Sequence, residues 1–303
     1  MMVNEFMTRF NDISPKSEDS PAGLAFAISS YFLWGFLPLY MKMLSHVPAA
    51  EVVVHRVIWS IPIAGLVLIL LGRTQDIKEA LTTPKMLAMG CVTAALISVN
   101  WGIYVWAINS GHALDAALGY YINPLFSVFM GFALLKERLS RLQWAAIALA
   151  FAAVVVLTID AGRLPLAAIG LTVSWGFYAF FKKSLPIGPN QGFLLEVLIL
   201  SVPALAYWGY LGSTGNSHFD TDMWLLLGCG VVTSVPLMLY ANGAKRLRLT
   251  TIAILQYIAP TMIFLVAVFV FGEPFGTARG IAFPMIWAAL ILYTYSMVRN
   301  REQ

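Results

Sequence analysis

Three ionisable residues fall inside otherwise apolar runs: His55 and Arg56 in one run, Glu196 in another. Lipid penalises charge, so such residues face other protein groups or a water-filled cavity, where they pair, bind ligand or carry protons. A guanidinium at Arg56 suits a carboxylate, which it can grip through two hydrogen bonds; the structural alternative is an ion pair with Asp115 or Glu51. Glu196 suits a carboxylate that takes up and releases a proton, and its structural alternative is a pair with Lys182 or Lys183. His55 could share that proton handling or pack between helices.

A second set is polar or aromatic and falls near the middle of apolar runs: Trp34, Asn100, Tyr104, Tyr120, Asn123, Trp175, Tyr240 and Gln256. Thr93, Asn100 and Tyr104 share one helical face, as do Tyr120, Asn123 and Ser127. Together they would line an aromatic cavity for amphipathic or weakly polar solutes, with ring faces supplying area and amides fixing orientation. The bland reading is that the amides and hydroxyls tie helices together. Pro124 and Pro260 lie mid-run, where each removes a backbone hydrogen bond and loosens the helix. The freed carbonyls belong to Tyr120 and Gln256, so these prolines are candidate bending points.

Several chemistries find no material. There is no GxxxxGK[ST] phosphate loop, no GxSxG, HExxH or CxxC, and no His/Cys/Asp/Glu cluster at one depth. Neither an enzyme, nor a cofactor, nor a metal is expected. Cys91 and Cys229 fall at different depths and are expected as free thiols.

The elements that would position these residues follow from composition. The 303 residues are 59% hydrophobic and 11% charged, too few charges to solvate a globular surface. A helix crosses the hydrocarbon core in about 20 residues. Apolar runs near 22–43, 50–72, 86–108, 112–135, 142–160, 164–182, 191–212, 222–244, 250–272 and 277–298 predict ten transmembrane helices. The polar residues 1–20 lack the pattern of a signal peptide and are expected as a cytoplasmic tail. Of the 19 Lys and Arg, fifteen fall in the tail, the C-terminus and alternate loops, while Lys42, Arg163 and Arg279 fall on the other side. This bias predicts both termini in the cytoplasm. The net charge of +4 is thus a topology signal and does not argue for nucleic acid.

The chain is also written twice. Trp34-Gly35-Phe36 recurs as Trp175-Gly176-Phe177, and Ser60-Ile61-Pro62 as Ser201-Val202-Pro203. Ser98-Val99-Asn100 recurs as Ser234-Val235-Pro236, and Tyr121-Ile122-Asn123-Pro124 as Tyr257-Ile258-Ala259-Pro260; Glu137 and Glu273 follow at equal distances. Residues 21–160 and 161–299 then form two five-helix repeats. Five is odd, so the second repeat is inverted, an arrangement that lets two bundles rock about a shared site.

The segments Val54-His55-Arg56-Val57-Ile58-Trp59-Ser60, Ala117-Leu118-Gly119-Tyr120-Tyr121-Ile122-Asn123-Pro124-Leu125 and Arg246-Leu247-Arg248-Leu249-Thr250-Thr251 resemble the EamA group of the drug/metabolite transporter superfamily. The resemblance covers roughly 22–298. It implies two EamA repeats in a bacterial inner membrane, a central cavity with the fifth and tenth helices at the periphery, and a permease, usually an exporter. The expectation is therefore an inner-membrane secondary transporter of a small organic metabolite or drug-like solute. It would work by alternating access, with membrane lipid as neighbour and protons as a coupling ion. The alternatives are an uncoupled facilitator and an enzyme on a lipid-linked substrate.

Overall fold

The computed structural model describes residues 20–72, 74–135, 139–184, 186–244, 246–247 and 249–299. The expected tail up to residue 19 and Glu137 lie outside the described residues. No strand occurs among the described residues. The chain runs through α1 (Pro21–Met43), α2 (Ala49–Ile58), α3 (Ser60–Leu70), α4 (Gln75–Thr82), α5 (Pro84–Asn109), α6 (Ala113–Leu135) and α7 (Arg141–Ala161). It continues through α8 (Leu166–Ser184), α9 (Pro189–Thr214), α10 (Phe219–Ala244), α11 (Leu249–Leu255), α12 (Ile258–Leu265), a π-helical turn (Val266–Val270) and α13 (Thr277–Arg299). Among the described residues eight stretches are long and apolar enough to cross a membrane, α2 and α3 counting as one; Leu166–Lys182 and Ile258–Val270 are apolar but shorter.

Local sequence sets the ends. The Ser20 hydroxyl accepts from the Gly23 amide at 3.0 Å with Pro21 in the first turn, satisfying a donor that the helix itself cannot. Ser140 and Gln143 cap α7 reciprocally, and Gly162 ends it at φ 61°, a conformation costly for a residue with a Cβ. Two spans expected as single helices are interrupted. The run 50–72 breaks at Trp59, and the run 250–272 breaks between Leu255 and Ile258. In both, a proline stands in the first turn of the second piece, Pro62 in α3 and Pro260 in α12. Having no N–H, each proline cannot donate to the carbonyl four residues before it. By contrast α6 runs on through Pro124. The short helix α4 occupies what the sequence suggested was a loop, and buries Ile77 and Ala80.

Packing between the halves is reciprocal. α1 packs on α10 and α12, while α8 packs on α5 and α6; α2 meets α9, α6 meets α12, and α7 lies along α13. Exchanging the first half for the second turns this set of contacts into itself. Particular residues repeat the exchange: a Cβ on Gly35 would meet the Met262 side chain, and one on Gly176 would meet the Phe126 ring, the same pairing of positions seen from either half. Polar ties also cross between halves. Asn100 donates to the Leu171 carbonyl (3.2 Å) and to the Ser174 hydroxyl (2.9 Å), Ser30 donates to the Pro236 carbonyl (2.7 Å), and Tyr121 and Thr261 share a hydrogen bond of 2.7 Å.

Candidate functional site

At the centre, where these helices converge, lies a cavity of about 100 Å³, room for several waters or a small solute. From the first half α1 contributes Tyr31, Trp34 and Leu37, and α5 and α6 contribute Asn100, Trp101, Tyr104, Tyr120 and Asn123. Arg56 enters from α2, three residues before the break at Trp59. From the second half come Trp175 of α8, Thr233 and Leu237 of α10, Gln256 at the α11–α12 break, and Ala259, Pro260 and Ile263 of α12. Matching positions of the two repeats both line it: Trp34 and Trp175, Trp101 and Leu237, Tyr120 and Gln256, Asn123 and Ala259. The α11–α12 break enters the lining at Gln256, and Gly230 of α10 presses against the Trp59 carbonyl so closely that a Cβ there would collide with it. Glycine is thus required where α10 seats the broken helix.

Arg56 is the charge in the site. It is 3% exposed. Its Nε–H donates to Thr233 Oγ1 at 3.0 Å, and its guanidinium lies 4.7 Å from the centre of the Trp101 ring, a favourable cation–π placement. Its Nη1 is buried with no hydrogen-bond partner. The Tyr104 hydroxyl and Asn123 Oδ1, both in the lining, are likewise buried and unpartnered. The expected structural partners of Arg56 are engaged elsewhere, which corrects that expectation. Glu51 holds His218 (Oε2 to Nδ1, 2.7 Å) and accepts from the His218 amide (2.7 Å), and Asp115 meets Arg279 at 3.5 Å.

Nine of the residues singled out in sequence therefore meet in one place: Trp34, Arg56, Asn100, Tyr104, Tyr120, Asn123, Trp175, Gln256 and Pro260. Asn100 is there but spends its amide on α8, as the bland reading had it. Six lie outside the lining, among them Thr93 and Ser127, whose hydroxyls donate to the Gly90 and Asn123 carbonyls of their own helices. Tyr240 stands behind the lining, packed on Tyr31 and Trp34 with ring centres 5.9 and 5.6 Å apart. His55 is turned into an aromatic cluster: its Nδ1 accepts from Trp59 Nε1 at 3.1 Å, and its ring stacks on Phe219 and meets Trp208 edge-on. Glu196 is 1% exposed, bound to Lys182 Nζ at 2.5 Å and to the Tyr178 hydroxyl at 3.2 Å, the lysine partner being one of the two expected. Pro124 sits beside Asn123 on α6. Sequence reasoning missed Tyr31, Trp101 and Thr233. Trp101 had a signal, since it follows Asn100 and matches a cavity position in the second repeat; Thr233 had none.

A further set ties the two halves together at their turns. The Glu273 carboxylate accepts from the Ala113 amide (2.6 Å) and the Leu114 amide (3.0 Å), capping α6 from the loop before α13. His46 meets Asp222 at 2.9 Å, and the Tyr40 hydroxyl donates to the Leu225 carbonyl. With Glu51–His218 and Asp115–Arg279, these gather the turns after α1, α5, α9 and the π-helical segment, and every one of them joins the first half to the second.

An apolar all-helical chain, built from two related halves around a shared central cavity, is a multi-pass membrane protein of the transporter class. Residues 21–159 and 164–295 each match the EamA-like transporter family, and the chain belongs to that family. It is 40% identical to a Vibrio cholerae protein described as an uncharacterized transporter, over 93% of this chain and 95% of that one. It is 39% identical to a Streptomyces exfoliatus protein named RarD (93% and 90%) and 37% identical to Escherichia coli RarD (93% and 96%). A solved structure titled "Crystal structure of protein" superposes with a TM-score of 0.57 at 21% identity, covering 94% of this chain and all of the other; it shares the fold.

Proposed function

We propose that this chain is a secondary transporter of a small organic solute, with ten spans arranged as two inverted five-helix repeats that alternate access to the central cavity. The observation that carries this reading is the cavity itself: equivalent positions of both repeats line it, and each broken helix places a lining residue within three positions of its break, Arg56 before Trp59 and Gln256 at the α11–α12 break. Reciprocal packing supports inversion, since the contacts of α1 with α10 and α12 have their counterparts in those of α8 with α5 and α6. Counting Leu166–Lys182 and Ile258–Val270 with the eight longer stretches gives the ten spans. The Lys and Arg bias supports a bacterial inner membrane with both termini cytoplasmic. The turns tied by Glu51, Glu273, Asp115 and His46 then face the periplasm, closed. Pro260 and the break at Trp59 are the bending points. Trp34, Tyr104, Tyr120, Asn123, Trp175 and Gln256 contact solute, and Tyr240 backs the aromatic wall. Glu196, held by Lys182, braces α9 against α8.

The test needs no known substrate. Leu237→Cys is placed in a chain carrying Cys91→Ala and Cys229→Ala, and sealed vesicles of each orientation are treated with a membrane-impermeant maleimide. Labelling from both faces is expected of alternating access. Labelling from a single face overturns it.

A further inference from the structure

We infer that the central cavity binds a small organic monocarboxylate with a flat apolar body, its carboxylate held by Arg56 and Tyr104. This deepens the transport reading and rests on it. The lining holds one cationic side chain and no carboxylate. An unpaired charge so deeply buried is strongly unfavourable unless something neutralises it. The partners present, Thr233 and the Trp101 face, engage Nε and one side of the guanidinium, and neither carries a negative charge. Nη1 and the Tyr104 hydroxyl remain as two buried donors without acceptors, on two residues that line the same cavity. A carboxylate supplies two acceptor oxygens and one negative charge, which matches two donors and one positive charge. Buried polar atoms left without partners are rare in proteins and call for an explanation; here a ligand gives one.

The rest of the solute follows from the walls. Trp34, Tyr120 and Trp175 present ring surface, which suits a flat apolar body. Asn123 Oδ1 is a buried acceptor without a partner, so a hydrogen-bond donor on the body, such as a hydroxyl, would be matched. One guanidinium with no second cation disfavours dianions, whose extra charge would be buried unpaired. The repeat helps to isolate this role: the position matching Arg56 in the second half is Val197, so the anion site is built by one repeat alone.

The experiment measures thermal stability of the purified full chain against benzoate and 4-hydroxybenzoate, with benzamide, benzylammonium and terephthalate beside them. A ligand that binds the folded state raises its melting temperature by mass action. Benzoate and 4-hydroxybenzoate are expected to raise it with concentration, the second more strongly, while the neutral, cationic and doubly anionic compounds do not. Arg56→Gln should weaken benzoate binding at least about tenfold, and Tyr104→Phe, which removes only the hydroxyl, by about fivefold. Should Arg56→Gln fail to fold, Tyr104→Phe still decides. Equal shifts from benzamide or benzylammonium, no shift from either carboxylate, or benzoate binding that survives both substitutions would overturn the inference. The Leu237→Cys labelling is independent of solute, so dual-face labelling without carboxylate binding sinks the substrate class and leaves the transport reading standing.

Discussion

Glu273→Gln weakens one of the ties that, in the proposed cycle, hold the two halves together at the closed end. The carboxylate is 8% exposed and accepts from two backbone amides at the start of α6. Hydrogen bonds to a charged acceptor contribute about 1.5–3 kcal/mol each, and a negative charge at a helix N-terminus adds roughly 0.3–1 kcal/mol. Glutamine keeps one acceptor oxygen and removes the charge, so the expected loss is about 2 kcal/mol. Opening this end must separate the loop that carries Glu273 from α6. If the tie exists only when the end is closed, the ratio of open to closed molecules rises roughly thirtyfold. The assay is the labelling rate of Leu237→Cys by impermeant maleimide applied to the face that bears the Glu273 loop, with melting temperature measured in parallel. An acceleration of at least about tenfold is expected. An unchanged rate together with a lowered melting temperature would refute the reasoning, because it would mean that the tie persists in both states.

Two other perturbations test the scaffold. Glu196→Gln leaves Lys182 buried without its counter-charge and should cost about 3–5 kcal/mol, read as a lowered melting temperature, whereas the double change Lys182→Met with Glu196→Leu should regain most of it and keep dual-face labelling. Gly119→Ala would place its Cβ 2.8 Å from the Ala168 carbonyl oxygen, forcing α6 and α8 apart at about 1–3 kcal/mol; the same substitution at Gly65, which nothing approaches within 4 Å, should leave the melting temperature unchanged or raise it.

The membrane class and the two-repeat plan were legible because lipid imposes simple requirements: long apolar runs, charges confined to the ends, and a duplicated order of residues. Most of the site was legible for the same reason. Asn100, Asn123 and Arg56 are costly in lipid, and protein interior was the place left for them. The sequence was weaker where geometry decides between neighbours. His55 and Arg56 are adjacent, yet a helix turns consecutive side chains by about 100°, so one enters the cavity while the other stacks on Phe219 and Trp208. Pro124 and Pro260 are repeat mates, yet only the second accompanies a break. A proline is tolerated within a first turn but must be compensated in a helix interior, and which case arises depends on packing that no local pattern contains. The partners of Glu51 and Glu273 were illegible because His218 and the α6 amides lie more than 150 positions away along the chain.

The apolar part of α8 has a bearing on the surrounding bilayer. α8 runs over Leu166–Ser184, 19 residues, or about 28 Å at the usual rise per residue, against roughly 30 Å for a typical hydrocarbon core. Leu166, Val173 and Phe181 are exposed on it and so meet acyl chains. In the proposed ten-span arrangement, lipid beside this helix adjusts its thickness, or the helix ends draw polar groups inward, at a fraction of a kcal/mol per Å of mismatch. That arrangement couples acyl-chain length to the helix that carries Trp175, which makes lipid thickness a variable to hold fixed, or to scan, whenever the central cavity is probed.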